Sequence, residues 1–126
     1  MIKKAITAEG TVSVGPYSHA VESGGFIYLS GQVPIDFKTG KIVEGDIIAQ
    51  TKQCFKNISN ILSTAGLIFD NIIKVTVFLL NMDDFTKMNS VYEKHFSAPF
   101  PARTTIGAAQ LPLGAGIEIE VIAKRD

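Results

Sequence analysis

Apolar residues recur at spacings of three and four between residues 46 and 65, a pattern that predicts an amphipathic helix. Asp46 is suited to the N-cap, and Gly66 follows the last apolar position, where helices commonly end. Cys54 lies on the apolar face, so we expect a buried thiol and not a nucleophile. The face consists of Ile47, Ile48, Cys54, Phe55, Ile58, Ile61, Leu62 and Ala65.

A second helix is predicted after a buried strand. Residues 72–80 are mostly β-branched or apolar, which favours the strand. The helix should be opened by Asn81 or Asp83 and ended by Pro99 and Pro101, because proline disfavours helix in the residue before it. Its apolar stripe is Phe85, Met88, Tyr92 and Phe96.

Strand patterns lie on both sides of these helices. Residues 26–30 form a short apolar run between glycines, and residues 36–41 predict a turn in which Gly40 can adopt a positive φ. Two further strands are expected at about 102–109 and 116–123. The order β-β-α-β-α-β-β predicts an α+β fold with two helices on one face of a mixed or antiparallel sheet.

The last strand shows why the other face of the sheet matters. Its residues alternate, so successive side chains form two sets that point to opposite faces of the sheet. Elsewhere the chain carries more apolar residues than two helices can cover, which predicts a homo-oligomer that buries the second face. The sets are Ile117, Ile119, Val121 and Ala123, against Glu118, Glu120, Ile122 and Lys124.

Composition narrows the class of protein. The 126 residues, 46% of them hydrophobic, predict one domain over residues 1–126. Twelve basic and twelve acidic residues balance, which argues against a nucleic-acid partner. The single cysteine fits a reducing compartment, and neither a signal peptide nor a membrane span is expected. A cytoplasmic protein without a membrane partner is therefore predicted.

Arg103 is the principal candidate for chemistry. It precedes two threonines in the predicted strand at residues 101–106, and we expect the strand at residues 117–121 to lie beside it. A guanidinium group can bind a carboxylate through two parallel hydrogen bonds, and Thr105 lies on the same strand face. The alternative is a surface arginine in a salt bridge, as for most arginines.

Two glutamates share one face of the last strand. Glu118 or Glu120 could orient a water molecule, and pairing with Arg103 would lower the pKa of the carboxyl group. The sequence leaves open which of the two glutamates faces the site. The alternative is that both lie on a strand face exposed to solvent.

Tyr17, in the turn Gly15-Pro16-Tyr17-Ser18, could form a wall of the pocket or simply pack in its turn. Ser30 and Gly31 end a strand where glycine permits close approach of a ligand, and an ordinary bulge is the alternative.

His19 and His95 lack metal-ligand spacing, and no phosphate-binding loop is present. Neither a metal nor a cofactor is expected.

Taken in order, the motifs resemble those of the reactive intermediate deaminase family, RidA or YjgF, nearly end to end. They are Gly15-Pro16-Tyr17-Ser18, Ser30-Gly31-Gln32-Val33-Pro34, Gln50-Thr51-Lys52-Gln53, Asn57-Ile58, Ala65-Gly66-Leu67, Lys74-Val75-Thr76-Val77-Phe78-Leu79, Met82-Asp83-Asp84-Phe85, Asn89-Ser90-Val91-Tyr92, Phe100-Pro101-Ala102-Arg103 and Ile117-Glu118-Ile119-Glu120.

The resemblance implies a chorismate-mutase-like fold in a homotrimeric, barrel-like assembly with sites between subunits. It also implies hydrolysis of 2-imino acids to 2-keto acids and ammonia. Arg103 would bind the substrate carboxylate and Glu118 would position water. The remaining substrate-binding residues would be Tyr17, Ser30, Gly31, Asn89 and Thr105.

Thr105 departs from the family pattern, because many members have cysteine there. The family uses chiefly the backbone amide of that residue, so threonine should preserve anion binding while altering pocket size or substrate range. Two other functions remain as alternatives: a ribonuclease or translation inhibitor, and a non-catalytic trimer that binds 2-keto acids or acts as a chaperone.

Overall fold

The computed structural model describes residues 2–8 and 15–126, so the predicted domain of residues 1–126 extends beyond them. They form a six-stranded sheet in the order β1-β2-β3-β8-β6-β7 and a separate β4–β5 hairpin. The strands are β1 Lys4–Ile6, β2 Ala20–Ser23, β3 Phe26–Leu29, β4 Ile35–Asp36, β5 Lys41–Ile42, β6 Ile72–Leu79, β7 Ala102–Gly107 and β8 Ile117–Lys124. The helices are α1 Ile47–Thr64 and α2 Phe85–Tyr92.

Helix α1 begins and ends where the sequence predicts. The Asp46 side chain accepts hydrogen bonds from the backbone N–H groups of Ile48 and Ala49, at 3.0 and 3.2 Å. Gly66 follows the C-cap with a φ of 76°. The predicted apolar face is confirmed, and Cys54 is fully buried within the core.

Helix α2 is shorter than predicted. Asn81 caps a 3₁₀ turn, Met82–Asp84, that leads into α2, but the helix ends at Tyr92, well before Pro99. The expected end at the prolines is therefore wrong. The backbone N–H of His95 donates to the Tyr92 carbonyl and its ring Nδ1 lies 3.0 Å from the Val91 carbonyl oxygen, which satisfies the end of the helix locally. Phe96 still packs on Tyr92, with ring centroids 4.6 Å apart.

The sheet is mixed, with both helices on one face, and the predicted α+β class is confirmed. Only β6 and β7 run parallel among the strand pairs of the described residues. The predicted alternation in β8 is also confirmed, because Ile117, Ile119 and Val121 are buried toward the helices. The opposite sheet face has no helix among the described residues, and it carries Tyr28, Phe78, Ile106 and Ile122.

One expectation about the sheet is wrong. Strands β7 and β8 are not neighbours, because β6 lies between them and pairs with both. The chain therefore passes over β6 between Gly107 and Ile117. A sequence shows which segments form strands, but the order of strands in a sheet depends on long-range pairing.

Buried amides fix the segment that follows β3 against α1. Asn57 donates to the carbonyls of Val33 and Ile35, at 3.2 and 3.0 Å. Gln53 donates to the Ile35 carbonyl and to the Asn57 side chain. These bonds satisfy backbone groups outside the main sheet and hold the chain close to β8. Across residues 2–8 and 15–126, no helix combines the length and hydrophobicity needed to cross a membrane.

Candidate functional site

Arg103 lies on β7 and points toward α2. It pairs with Val75 of β6, whose side chain is buried on the helix side of the sheet. Its Nη1 donates to Oδ1 of Asn89 at 2.6 Å. The guanidinium carbon lies 4.5 Å from the ring centroid of Tyr92 and 5.5 Å from that of Phe85. Cation–π attraction and a charge-assisted hydrogen bond therefore orient the guanidinium group.

A pocket of about 410 Å³ opens beside Arg103. Within the described part of the chain, Asn89 is the only acceptor bonded to the guanidinium group, so its other N–H groups remain available to a ligand. Such an arrangement suits a small carboxylate, which takes two parallel hydrogen bonds from arginine. The pocket is lined by Asn89, Tyr92, Glu93, Phe100, Pro101 and Arg103.

Two hydroxyl groups near Arg103 are buried without a hydrogen-bond partner among residues 2–8 and 15–126. They belong to Thr105, which shares the strand face of Arg103, and to Tyr92, which lines the pocket. Burial raises the pKa of the Tyr92 phenol, while the Arg103 charge lowers it. A buried hydroxyl without a partner carries a free-energy cost, so either group would gain from a ligand that supplies an acceptor.

Glu118 and Gly31 meet at the other predicted half of the site. A Cβ atom added to Gly31 would overlap the carboxylate of Glu118 and would lie 2.8 Å from its Cδ atom. Any residue larger than glycine at position 31 would therefore displace the Glu118 carboxylate from this position. The close approach becomes possible because β3 ends at Leu29 and pairing with β8 resumes at Gln32, which bonds to Ile119.

The pKa of Glu118 is raised, first by burial and second by the charge of Glu120. This is the opposite of the lowering expected from a pairing with Arg103, and Glu118 forms no ion pair with a described residue. A carboxylate with a raised pKa holds a proton more strongly, so it is better suited to proton transfer than one neutralised by arginine. Glu118 is half-buried, whereas Glu120 is exposed.

Ser30 connects the turn that carries Tyr17 to the segment next to Glu118. Its hydroxyl donates to the Ser18 carbonyl at 2.6 Å, and its backbone N–H donates to the His19 carbonyl at 2.9 Å. Tyr17 itself is 49% exposed, so its ring does not belong to the core. Its nearest described ring is that of His19, at a centroid distance of 6.4 Å.

The structure divides the predicted site into two half-sites. The arginine half comprises Arg103, Asn89 and Thr105. The glutamate half comprises Glu118, Gly31 and Ser30, and Tyr17 follows on the exposed turn to which Ser30 is hydrogen-bonded. In the register of the sheet, Arg103 lies opposite Val75, whose side chain is on the helix face. Glu118 lies opposite Phe78, whose side chain is on the open face. The two functional groups therefore lie on opposite faces of the sheet, two strands apart. Within one chain they cannot act on the same small molecule.

Sequence reasoning treated Phe85 and Tyr92 only as an apolar stripe. The structure shows that both rings contact the guanidinium group as well. The spacing of these rings in the sequence could have predicted the contact. Residues 85, 89 and 92 lie on one face of a helix, so a guanidinium group beside Asn89 also lies near both rings.

The geometry defines an α+β protein with an open sheet face and with its candidate arginine and glutamate groups on opposite sides of the sheet. Comparison with known proteins agrees with this fold. The family model described as Endoribonuclease L-PSP matches residues 7–125. The chain belongs to that family, which is also called the YjgF or RidA family.

Three relatives illustrate the similarity. A RutC family protein of Pyrococcus horikoshii is 49% identical over 113 residues, which cover 90% of each chain. A human protein named 2-iminobutanoate/2-iminopropanoate deaminase is 41% identical over 98% of this chain and 90% of its own. The crystal structure of the Rid family protein YyfA from Yersinia pestis is 43% identical and superposes with a TM-score of 0.93, covering 97% of this chain and 98% of its own.

Proposed function

We propose that the protein hydrolyses reactive 2-imino acids to 2-keto acids and ammonia in the cytoplasm. The observation that carries the proposal is the oriented guanidinium group of Arg103 in an open pocket, where several of its N–H groups are not bonded to any described residue. Deaminase-named relatives at about 40% identity support the same chemistry. A 2-imino acid carries a carboxylate next to the reacting carbon, so one arginine can both bind and orient it.

Arg103 would take the substrate carboxylate in two parallel hydrogen bonds, while Asn89 and Tyr92 hold the guanidinium plane. Tyr92 lines the pocket, and the buried hydroxyl groups of Tyr92 and Thr105, which have no hydrogen-bond partner among the described residues, would become donors to the substrate if its binding shifts them toward the pocket. Holding the carboxylate fixes the C2 carbon of the imine relative to the attacking water. Because imine hydrolysis is intrinsically fast, positioning contributes more here than a strong nucleophile does.

Glu118 would act on the water. Its carboxylate accepts a proton as the water oxygen bonds to C2, and it returns that proton to nitrogen, giving a carbinolamine. The hydroxyl proton then moves to nitrogen as the C2–N bond breaks, which releases ammonia and leaves the keto group. The raised pKa of Glu118 suits this transfer in both directions.

The two half-sites would meet between subunits of a homotrimer. The open sheet face supports such an assembly, because it presents apolar side chains: Tyr28 and Ile106 are 44% and 45% exposed. A second chain seated there would bury this face and bring its own glutamate half-site or arginine half-site to the first chain. Each trimer would then hold equivalent sites related by rotation.

The direct test couples a pyridoxal-phosphate dehydratase, which generates the imine, to measurement of keto acid. We expect Arg103→Ala to abolish the acceleration, because the carboxylate anchor is lost. Arg103→Lys should restore it only partly, since lysine cannot form the two parallel hydrogen bonds.

Arg125→Ala is the matched control, because Arg125 pairs with Glu22 at 2.9 Å, away from the pocket. It should accelerate the reaction as the wild type does. Full activity of Arg103→Ala would contradict the proposal. A wild-type protein that binds 2-keto acids without accelerating hydrolysis would instead support the non-catalytic alternative.

The family model's description as an endoribonuclease supports a second candidate function. Cleavage of single-stranded RNA by highly purified protein, lost in Arg103→Ala, would establish it. The balanced charge of the chain argues against this function.

A further inference from the structure

A second cavity lies on the helix side of the sheet, between α1 and the β4–β5 hairpin. Its volume is about 660 Å³, within the range of small-molecule sites. It shares no lining residue with the pocket beside Arg103. We call it the α1 groove and define it by Phe37, Lys38, Lys52, Lys56, Phe69 and His95.

The α1 groove carries an excess of positive charge. Lys52 and Lys56 are one helical turn apart on α1, and Lys38 faces them from the hairpin. No aspartate or glutamate occurs from residue 47 to 64, so α1 itself offers these lysines no counter-charge. Among the described residues that line the groove, Asp36 is the one acidic residue, and its Oδ1 accepts the backbone N–H of Lys38 at 2.9 Å.

Polar side chains extend this row along the same helix. Ser59, Asn60 and Ser63 line the groove, and their side chains make no hydrogen bond to a described residue. Hydroxyl and amide donors next to lysines are the groups that bind phosphate oxygens. The groove therefore holds several donors that are not bonded within the part of the chain that the structure describes.

Aromatic rings form the inner part of the groove. The His95 ring stacks on the buried Phe55 ring at a centroid distance of 4.5 Å, and Phe69 packs against both. His95 Nδ1 contacts the Val91 carbonyl, so its other ring nitrogen is left for a ligand. These rings and Phe37 are buried or half-buried, whereas the three lysines are exposed. The inner surface of the groove is therefore apolar, and its outer edge carries the positively charged lysines.

From this arrangement we infer that the α1 groove binds a free organic phosphate with a planar ring, of nucleoside monophosphate size. The lysines bind the phosphate and the rings pack against the planar group. This inference is independent of the deaminase proposal, because none of its residues belongs to either half-site.

The test measures binding of adenosine 5′-monophosphate to the full-length protein by calorimetry and by amide chemical shifts. Shifts should concentrate on residues 52–63 and His95. Lys52→Gln combined with Lys56→Gln should weaken binding about tenfold, as expected from the loss of two charge-assisted contacts. The matched control, Lys3→Gln with Lys4→Gln, changes two exposed lysines at β1 that do not line the groove, and it should change binding by less than about twofold.

Three further ligands test whether the groove recognises the phosphate, the planar ring and the size of a single nucleotide. Adenosine, which lacks the phosphate, should bind at least about tenfold more weakly than adenosine 5′-monophosphate. Ribose 5-phosphate, which lacks the planar ring, should also bind at least about tenfold more weakly. Equal binding of either would overturn the inference. So would absence of binding at millimolar concentrations, shifts centred on Arg103, or wild-type affinity in the double variant. Much tighter binding of a short single-stranded RNA would assign the groove to RNA and overturn the claim of a free nucleotide.

Discussion

Arg103 is held from two sides, by the rings of Phe85 and Tyr92 and by the side-chain oxygen of Asn89. This arrangement limits the directions in which its remaining N–H groups can point. The sequence predicted the arginine and, through the family resemblance, Asn89. It did not predict the role of Tyr92, because an aromatic residue at helical spacing is most often simply a core residue.

Replacing Asn89 with alanine should weaken substrate binding. A hydrogen bond to a charged group contributes roughly 1.5–3 kcal/mol, so we expect KM to rise about tenfold with a smaller change in kcat. Steady-state kinetics with the dehydratase-coupled assay would measure both constants. Ser90→Ala, on the exposed side of the same helix, is the control. Unchanged KM in Asn89→Ala would show that Asn89 does not orient the arginine.

The pH dependence should reveal the role of Glu118. If Glu118 acts as the base, activity falls as the pH drops through its pKa, which burial and the charge of Glu120 both raise. Glu120→Gln removes the like charge and lowers that pKa. The acidic limb of the rate profile should therefore move to lower pH in Glu120→Gln. An acidic limb that stays in place or moves upward would contradict this assignment.

At the scale of elements, α1 shows how much local sequence can determine. Its apolar period, its N-cap and the glycine after its C-cap were all predictable, because each depends on neighbouring residues. The end of α2 and the position of β6 between β7 and β8 were not predictable in the same way. The hydrogen bonds of His95 and the long-range strand order decide them.

The N-cap of α1 can be tested separately from function. Asp46→Ala removes the two hydrogen bonds to Ile48 and Ala49 and should lower the free energy of unfolding by about 1 kcal/mol. Asp46→Asn keeps an acceptor at the same place and should cost less. Denaturant unfolding of the two variants would measure the difference. Equal stability of Asp46→Ala and the wild type would show that the cap contributes nothing.

For the whole molecule, the sheet separates the two side chains on which the proposed reaction depends. Arg103 and Glu118 lie on opposite faces, and the face that carries Glu118 presents apolar side chains without a covering helix in the described residues. The sequence predicted an oligomer from this surplus of apolar residues. It placed the arginine and glutamate on neighbouring strands, however, and only the strand order shows that they are separated within the chain.

Mixed assemblies test the central claim most directly. Arg103→Ala and Glu118→Gln chains would be co-expressed with different tags, and hybrids that carry both tags would be purified. Each parent variant should be inactive alone. We assume that every site takes its arginine from one subunit and its glutamate from another. Random assembly then leaves both groups intact in about one quarter of the sites. Before the hybrids are separated, the mixture should therefore show roughly a quarter of wild-type activity. Hybrid assemblies no more active than the parent variants would contradict the account.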